Sequence, residues 1–404
     1  MASSAPQRAS ITFLVVDAFG GGGVARSVVN LANALVRTRP VTVISLYRRR
    51  RRPRYGLDPA VELVVLRDLR DRRRRRRRPL DRLPTRLRPT PSTRTMSLRT
   101  DLLLRSAIRR IRSGVIVSTR PSLHLALVTF ARPGVTTIGW DHLNFPGRMT
   151  RPGQAAVLRA AVPRLDGYVV LTQADALDYR ADLPDARTEI RVIRNSVSWP
   201  VAEEPPPLET PVVLAAGRLS SRKGFLRLVR AFAPVAAAHP DWQLHIYGQG
   251  EKRKAIRQLV RRLGLQHQVK LRGYTRDLPA AMREASVYAM ASRWEGFPMV
   301  LIEAMSVGLP VIAFDCPRGP GEVVRHGANG LLIENDRVRA FSRGLLALVE
   351  DEQLRRTLGH QALNDAHGYA AGAIAADWTR LIDDLDPRSS STGTAVLQPA
   401  DAAG

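Results

Sequence analysis

Glu295 and Glu303 stand eight positions apart in the stretch RWEGFPMVLIEAM, with Gly296 and Pro298 between them. Two carboxylates so placed raise the question of acid–base work on a single atom. On one continuous helix, eight residues span roughly 12 Å of axis, too far for that. The preceding VYAMAS (287–292) reads as a strand and RWEGF as a loop. Pro298 suits the first position of a helix that Gly308 and Pro310 stop. Glu295 then lies in the loop above a helix N-terminus and Glu303 on the helix, so the pair can reach different points of one extended ligand. A paired-carboxylate glycosidase needs acids on opposite sides of one bond and fits poorly. Glu303 is flanked by Leu301, Ile302, Ala304 and Met305. A carboxylate in so apolar a helix needs a partner, and a ribose diol is a good one.

Cations and glycines occur in comparable places. AAGRLSSRKGF (215–225) sets Arg218 and Lys223 five residues apart across a strand-to-helix loop. Both can point at one pyrophosphate, and each charge within about 4 Å of a phosphate is worth about 4 kcal/mol at an effective dielectric near 20. Two such cations can do the work of a divalent metal on a diphosphate leaving group; the bland alternative is a pair of solvated loop residues. FGGGGVARS (19–27) is a glycine loop before a helix, suited to a phosphate at the helix N-terminus or merely to a tight turn. It does not match G-x-G-x-x-G, because Val24, Ala25 and Arg26 follow Gly23, and a nicotinamide dehydrogenase is disfavoured. HIYGQGE (245–251) ends a strand in a Gly-x-Gly turn at Gly248 into a helix, and LRGYTRDLP (271–279) ends another at Gly273 and reads equally well as a plain turn or as the boundary of a nucleotide base.

The elements that carry these loops alternate along the whole chain. ITFLVV, VTVISL, VELVVL, GVIVSTR, TTIGW and GYVVLT are apolar runs expected of strands buried on both faces, separated by helical periods such as ARSVVNLANALV. SVSWPVAEEPPPLETP (196–211) has no such period and reads as a linker. The alternation then restarts with VVLAAG, WQLHIYG, VKLRG, VYAMAS and VIAFD. The expected organisation is α/β: residues 1–195 as one Rossmann-like doubly wound domain, 212–386 as a second with closing helices, and 387–404 as a disordered tail. Ligands on such sheets bind outside the carboxyl ends of the strands, here in a cleft between the two domains.

Of the 404 residues, 63 are basic and 36 acidic, a net charge of +27. Residues 48–112 alone hold 24 arginines, six acids and no lysine, including RRRRR (48–52) and RRRRRRR (72–78). Such blocks are commonly solvated and disordered, and often bind polyanions. The one cysteine, Cys316, excludes an internal disulfide framework. No window has the roughly 18 uninterrupted apolar residues of a membrane span, and the N-terminus lacks a signal-peptide pattern. A cytoplasmic chain is expected, with the arginines able to meet an anionic membrane surface.

Taken together, EGFPMVLIE, GRLSSRKGF, GGGGVARSVVNLANAL, YGQGE and LRGYTRDL resemble, in order and spacing, the motifs of family 4 retaining glycosyltransferases, which have the GT-B fold. FDCPRGPGEVVRHGANGLLIEN (314–335) is similar to the segment that follows E-x7-E in members acting on polysaccharide, wall-polymer or lipid-linked acceptors. The resemblance spans nearly the whole chain apart from the arginine insertion and the tail. It implies a nucleotide-sugar donor, a UDP-sugar by preference, with Glu303 on the ribose hydroxyls and Glu295 on hydroxyls of the transferred sugar. Arg218 and Lys223 would hold the diphosphate with N–H groups of Gly22 and Gly23. Gly248, Gly273 and Phe297 would complete the donor site. His142, in IGWDHLNF (138–145), falls where the family often places a histidine facing the sugar, and His124 competes for that role. The resemblance also implies a retaining reaction with no cofactor and no metal. No D-x-D at a strand end near the glycine loops and no His/Cys cluster of metal spacing is present.

A different class, a polyanion- or nucleic-acid-binding protein using the arginine segment, has the charge in its favour. Against it, Tyr55 is the only aromatic in residues 48–112, and no helix-turn-helix or zinc motif occurs. Nucleic acid is therefore not the expected partner.

Overall fold

The computed structural model describes residues 8–70, 79–91 and 96–386. The second arginine block and the tail at 387–404 lie outside the described residues, so the expectations made for them lie outside it too. Seven strands form the first sheet: Ile11–Val15 (β1), Val41–Ser45 (β2), Glu62–Val65 (β3), Gly114–Ser118 (β4), Val135–Trp140 (β5), Gly167–Val170 (β6) and Glu189–Val192 (β7). Six form the second: Val212–Ala216 (β8), Gln243–Tyr247 (β9), Val269–Gly273 (β10), Val287–Met290 (β11), Val311–Asp315 (β12) and Gly330–Glu334 (β13).

Every pairing between these strands is parallel, in the orders β3-β2-β1-β4-β5-β6-β7 and β10-β9-β8-β11-β12-β13. Strands β1, β4, β5 and β8 are buried along their full length, as expected of apolar runs covered by helices on both faces. Each sheet winds outward in both directions from a central pair, β1 and β4 in the first and β8 and β11 in the second. At those two places chain direction reverses across the sheet and a crevice opens at the carboxyl edge. The glycine loop follows β1, the Arg218–Lys223 loop follows β8, and the Glu295 loop follows β11. All three candidate loops therefore border a switch point.

Residues 193–211 carry neither helix nor strand. Two parts of the chain differ from the sequence reading. The helix Ala371–Leu385, grouped there with the second domain, packs in space on the first: Trp378 meets Trp140 edge-to-face at 4.9 Å, and Asp384 pairs with Arg191 at 2.9 Å. An amphipathic helix declares its apolar stripe but not the surface it will cover. Pro298 stands one place earlier than expected, as the N-cap of helix Met299–Met305 rather than its first residue. Part of the arginine segment is ordered, with β3 and the helices Pro79–Arg82 and Leu98–Arg110 inside it. The last of these starts at a reciprocal cap between Ser97 and Thr100.

Candidate active site

In the second domain three loops are locked backbone to backbone. A Cβ on Gly248 would lie 1.8 Å from the Gly217 carbonyl oxygen, and one on Gly224 would lie 1.7 Å from that of Ala291. Gly224 also has φ +65°, a left-handed conformation that favours glycine. The Gly248 N–H donates to the Gly273 carbonyl at 2.6 Å, which ties the β9 and β10 loops together. These glycines therefore rigidify the platform from which Lys223 extends.

Lys223 Nζ donates to Glu295 Oε1 at 2.6 Å, and Arg222 lies 3.8 Å from Glu295 Oε2 while stacking on Trp294. Glu295 is only 3% exposed. Its N–H donates to the Pro317 carbonyl at 2.9 Å and its own carbonyl accepts from Arg318 N–H at 3.2 Å, so the chain on both sides is fixed. Cys316 is buried nearby, and burial, with the Glu295 charge, pushes its thiol up to about 12. It is a packing residue.

Glu303 is fully buried on helix Met299–Met305. Its partner is Arg26, from the first turn of helix Gly23–Leu35 in the other domain, which donates to Oε1. Oε2 has no hydrogen-bond partner. Burial pushes the Glu303 carboxyl up to about 7, against the opposing pull of Arg26 and Lys223. Arg26 is itself steadied by the Ser198 hydroxyl and the face of Trp199. The sequence reading missed this arginine. It noted Arg26 only as a departure from G-x-G-x-x-G, although a buried carboxylate at 303 called for a cation.

His142 follows β5 and its ring packs on Trp140 at 4.3 Å. Burial drives its pKa down to about 3, partly offset by Asp141, and Nε2 is buried without a partner. The His142 loop presses on the Glu295 loop. A Cβ on Gly296 would lie 2.8 Å from the His142 carbonyl oxygen, and Asn144 Nδ2 donates to the Glu295 carbonyl at 2.5 Å. His124, the competitor, is sealed inside the first domain, with Nδ1 at 2.7 Å from the Ser118 hydroxyl. It is a core residue.

The remaining expected residues are spread more widely. Arg218 is 78% exposed on its side chain and lies 3.8 Å from Glu251. Gly22 is the N-cap of helix Gly23–Leu35, and a Cβ on Gly22, Gly23 or Gly273 would meet nothing within 4 Å. The first two thus leave open space above the helix N-terminus. Phe297 is buried against Tyr369 at 6.2 Å, which makes it a floor residue. From the arginine segment, Arg54 stacks on Tyr274 of the second domain at 4.7 Å, and Tyr55 donates to the Gly21 carbonyl at 3.0 Å. Neither contact was legible beforehand. Among the described residues no group of three or more His, Cys, Asp or Glu is placed to hold a metal ion.

Two doubly wound parallel sheets, with cations and carboxylates brought from both switch points to one cleft, define the GT-B class. Comparison with known proteins agrees at the level of family. The model for "Glycosyltransferase Family 4" matches residues 21–198, and that for "Glycosyl transferases group 1" matches residues 201–365. The chain belongs to these glycosyltransferases. An exopolysaccharide phosphotransferase of Streptomyces coelicolor is 30% identical over 398 residues, which cover 94% of this chain and 41% of that protein. This chain therefore spans less than half the length of that relative. An uncharacterized glycosyltransferase of Haemophilus influenzae is 25% identical over 374 residues, covering 92% of this chain and 99% of that one. Among solved structures, a TarM mutant of S. aureus in complex with fondaparinux, alpha-GlcNAc-glycerol and UDP superposes with a TM-score of 0.72 at 15% identity, over 93% of this chain and 99% of that chain.

Proposed function

We propose that this chain transfers a sugar from a nucleotide-diphosphate sugar, a UDP-sugar, to a hydroxyl of a cell-envelope glycan, wall polymer or lipid-linked acceptor, with retention at the anomeric carbon and without a metal. The observation that carries the reading is the pair of cleft contacts, Lys223 to Glu295 and Arg26 to Glu303, beside the open glycine loop. Glu303 accepts from the ribose diol and Glu295 from hydroxyls of the transferred sugar. Lys223 and the exposed Arg218 neutralise the diphosphate as its bond to the anomeric carbon breaks, joined by N–H groups of Gly22 and Gly23 at the positive end of their helix. The acceptor oxygen bonds to that carbon on the face the diphosphate leaves, and a diphosphate oxygen takes its proton. His142 stays neutral at physiological pH and lines the sugar's side of the cleft. The UDP in the S. aureus structure and the exopolysaccharide named for the Streptomyces relative support the donor and acceptor classes.

The test is a thermal-shift screen of the purified chain against UDP, GDP, ADP and CDP, with and without EDTA. A shift of several degrees with UDP alone, indifferent to EDTA, is the expected result. No shift with any nucleotide would remove the donor site. Retention is read from the anomeric configuration of the product by proton NMR.

The arginine blocks suit a peripheral position at the inner face of an anionic membrane. No described helix is long and apolar enough to cross one. Deleting residues 68–80 should reduce sedimentation with anionic vesicles and leave UDP binding intact; equal sedimentation of both forms would end the membrane role.

A further inference from the structure

The first sheet has its own crevice at the β1/β4 switch point, and it opens into a cavity of about 290 Å³ behind His142. The β4 loop lines it with Thr119 and Arg120, and the segment after β5 with His142, Arg151 and Gln154. Two helices of ten residues each, Pro121–Phe130 and Pro152–Ala161, begin at this cavity. Their N-cap residues are Arg120 and Arg151, and neither side chain caps its helix. A cation at a helix N-terminus opposes the macrodipole, and here two do so at one hollow.

Among the described residues nothing compensates them. Neither Arg120 nor Arg151 has an ion-pair or hydrogen-bond partner for its side chain among the described residues, and no acid lines the cavity. Asp141, next in the chain to the lining residue His142, is committed: both its oxygens accept from Arg148, and Tyr168 and Tyr179 donate to it at 3.0 and 3.1 Å. Arg148 also donates to Gln154 at 2.9 Å, so this buried pair is a neutral, fixed wall. Burial and then the Arg148 charge depress Arg120, as expected of a cation with no counter-charge. Two unpaired guanidinium groups and two uncapped helix N-termini around one hollow are complementary to a phosphate group.

The cavity joins the donor side at a defined point. Val24 and His142 are among its lining residues, and the His142 loop touches the Glu295 loop through Gly296 and Asn144. We propose that this cavity binds a phosphate ester of the acceptor, one unit behind the hydroxyl that is glycosylated, so that Arg120 and Arg151 select phosphorylated acceptors. This deepens the transferase reading and rests on it for the word acceptor alone.

The test uses the full chain saturated with UDP, so that the donor diphosphate site is occupied. Glycerol 3-phosphate, inorganic phosphate and glycerol are titrated into the wild type and into the double variant Arg120→Gln, Arg151→Gln, with binding read by calorimetry. Glycerol 3-phosphate should bind the wild type at least tenfold more tightly than the variant, and glycerol should not bind measurably. Neither residue belongs to the buried core, and an unchanged UDP affinity in the variant shows that it is folded. Equal phosphate-ester affinity in the two proteins would overturn the site. Tighter binding of inorganic phosphate than of the ester would overturn its assignment to an acceptor. If UDP fails to bind either protein, the transferase reading falls. In that case ester binding that the double variant abolishes would still establish the anion cavity.

Discussion

Arg26 and Glu303, 277 positions apart, form an ion pair that crosses the cleft from the first helix of one domain to a buried helix of the other. The carboxylate is wholly buried and retains one oxygen without a partner, so the site holds its cation and keeps one acceptor in reserve. A ligand that donates two hydrogen bonds can use that reserve.

Removing Arg26 strands Glu303. Arg26→Ala should destabilise the chain by about 3 kcal/mol near pH 8, the scale for breaking a buried pair from one side. Adding Glu303→Gln to that variant should recover part of the loss. Chemical denaturation of the four proteins of the cycle checks this, and strictly additive losses would contradict a direct pair.

The raised pKa of Glu303 has a sign that can be measured. Its folded value of about 7 lies above the ordinary 4.5, so its contribution to stability is full below about pH 4.5 and is lost as pH rises through 7. At 1.36 kcal/mol per pH unit the full span is about 3 kcal/mol. Arg26 and Lys223 act on the same carboxyl, and burial pushes the neighbouring Tyr288 phenol up. Ribose hydroxyls favour the ionised form, so UDP affinity should rise between pH 6 and 8 in the wild type and rise less in Glu303→Gln, which also controls for titration of UDP itself.

Glu303 and Lys223 should separate kinetically. Glu303→Ala should weaken donor binding, seen as a raised KM for the UDP-sugar. Lys223→Ala should lower kcat by about 10²-fold or more, as loss of a charge stabiliser does. It also leaves Glu295 without its 2.6 Å partner. Near-normal turnover in Lys223→Ala would remove it from the phosphate role.

Gly248→Ala tests the loop platform apart from any ligand. Its φ of +139° and a Cβ at 1.8 Å from the Gly217 carbonyl leave no room, and about 3 kcal/mol or more of stability should be lost. A melting curve of the ligand-free chain suffices, and an unchanged midpoint would show that the β8 and β9 loops can part.

Much of this protein was written along the chain. Strands buried on both faces must be continuous apolar runs, and glycine and proline must punctuate them, so two doubly wound domains and their loops could be read from residue order. Glu303 announced itself because a carboxylate among Leu301, Ile302, Ala304 and Met305 has no local way to be satisfied. Local patterns could not name its partner, since Arg26 and Glu303 meet only after both sheets are wound and apposed. The same limit hid the Asp141–Arg148 wall behind His142 and sent Ala371–Leu385 back to the first domain, where Trp140 waits for Trp378. Gly248 carried a local signal whose meaning was tertiary: a neighbouring carbonyl requires it. Periodicity and composition act within a few residues and determine the elements. Charge pairing and close packing act through space, and only the apposed domains decided which cations face which carboxylates.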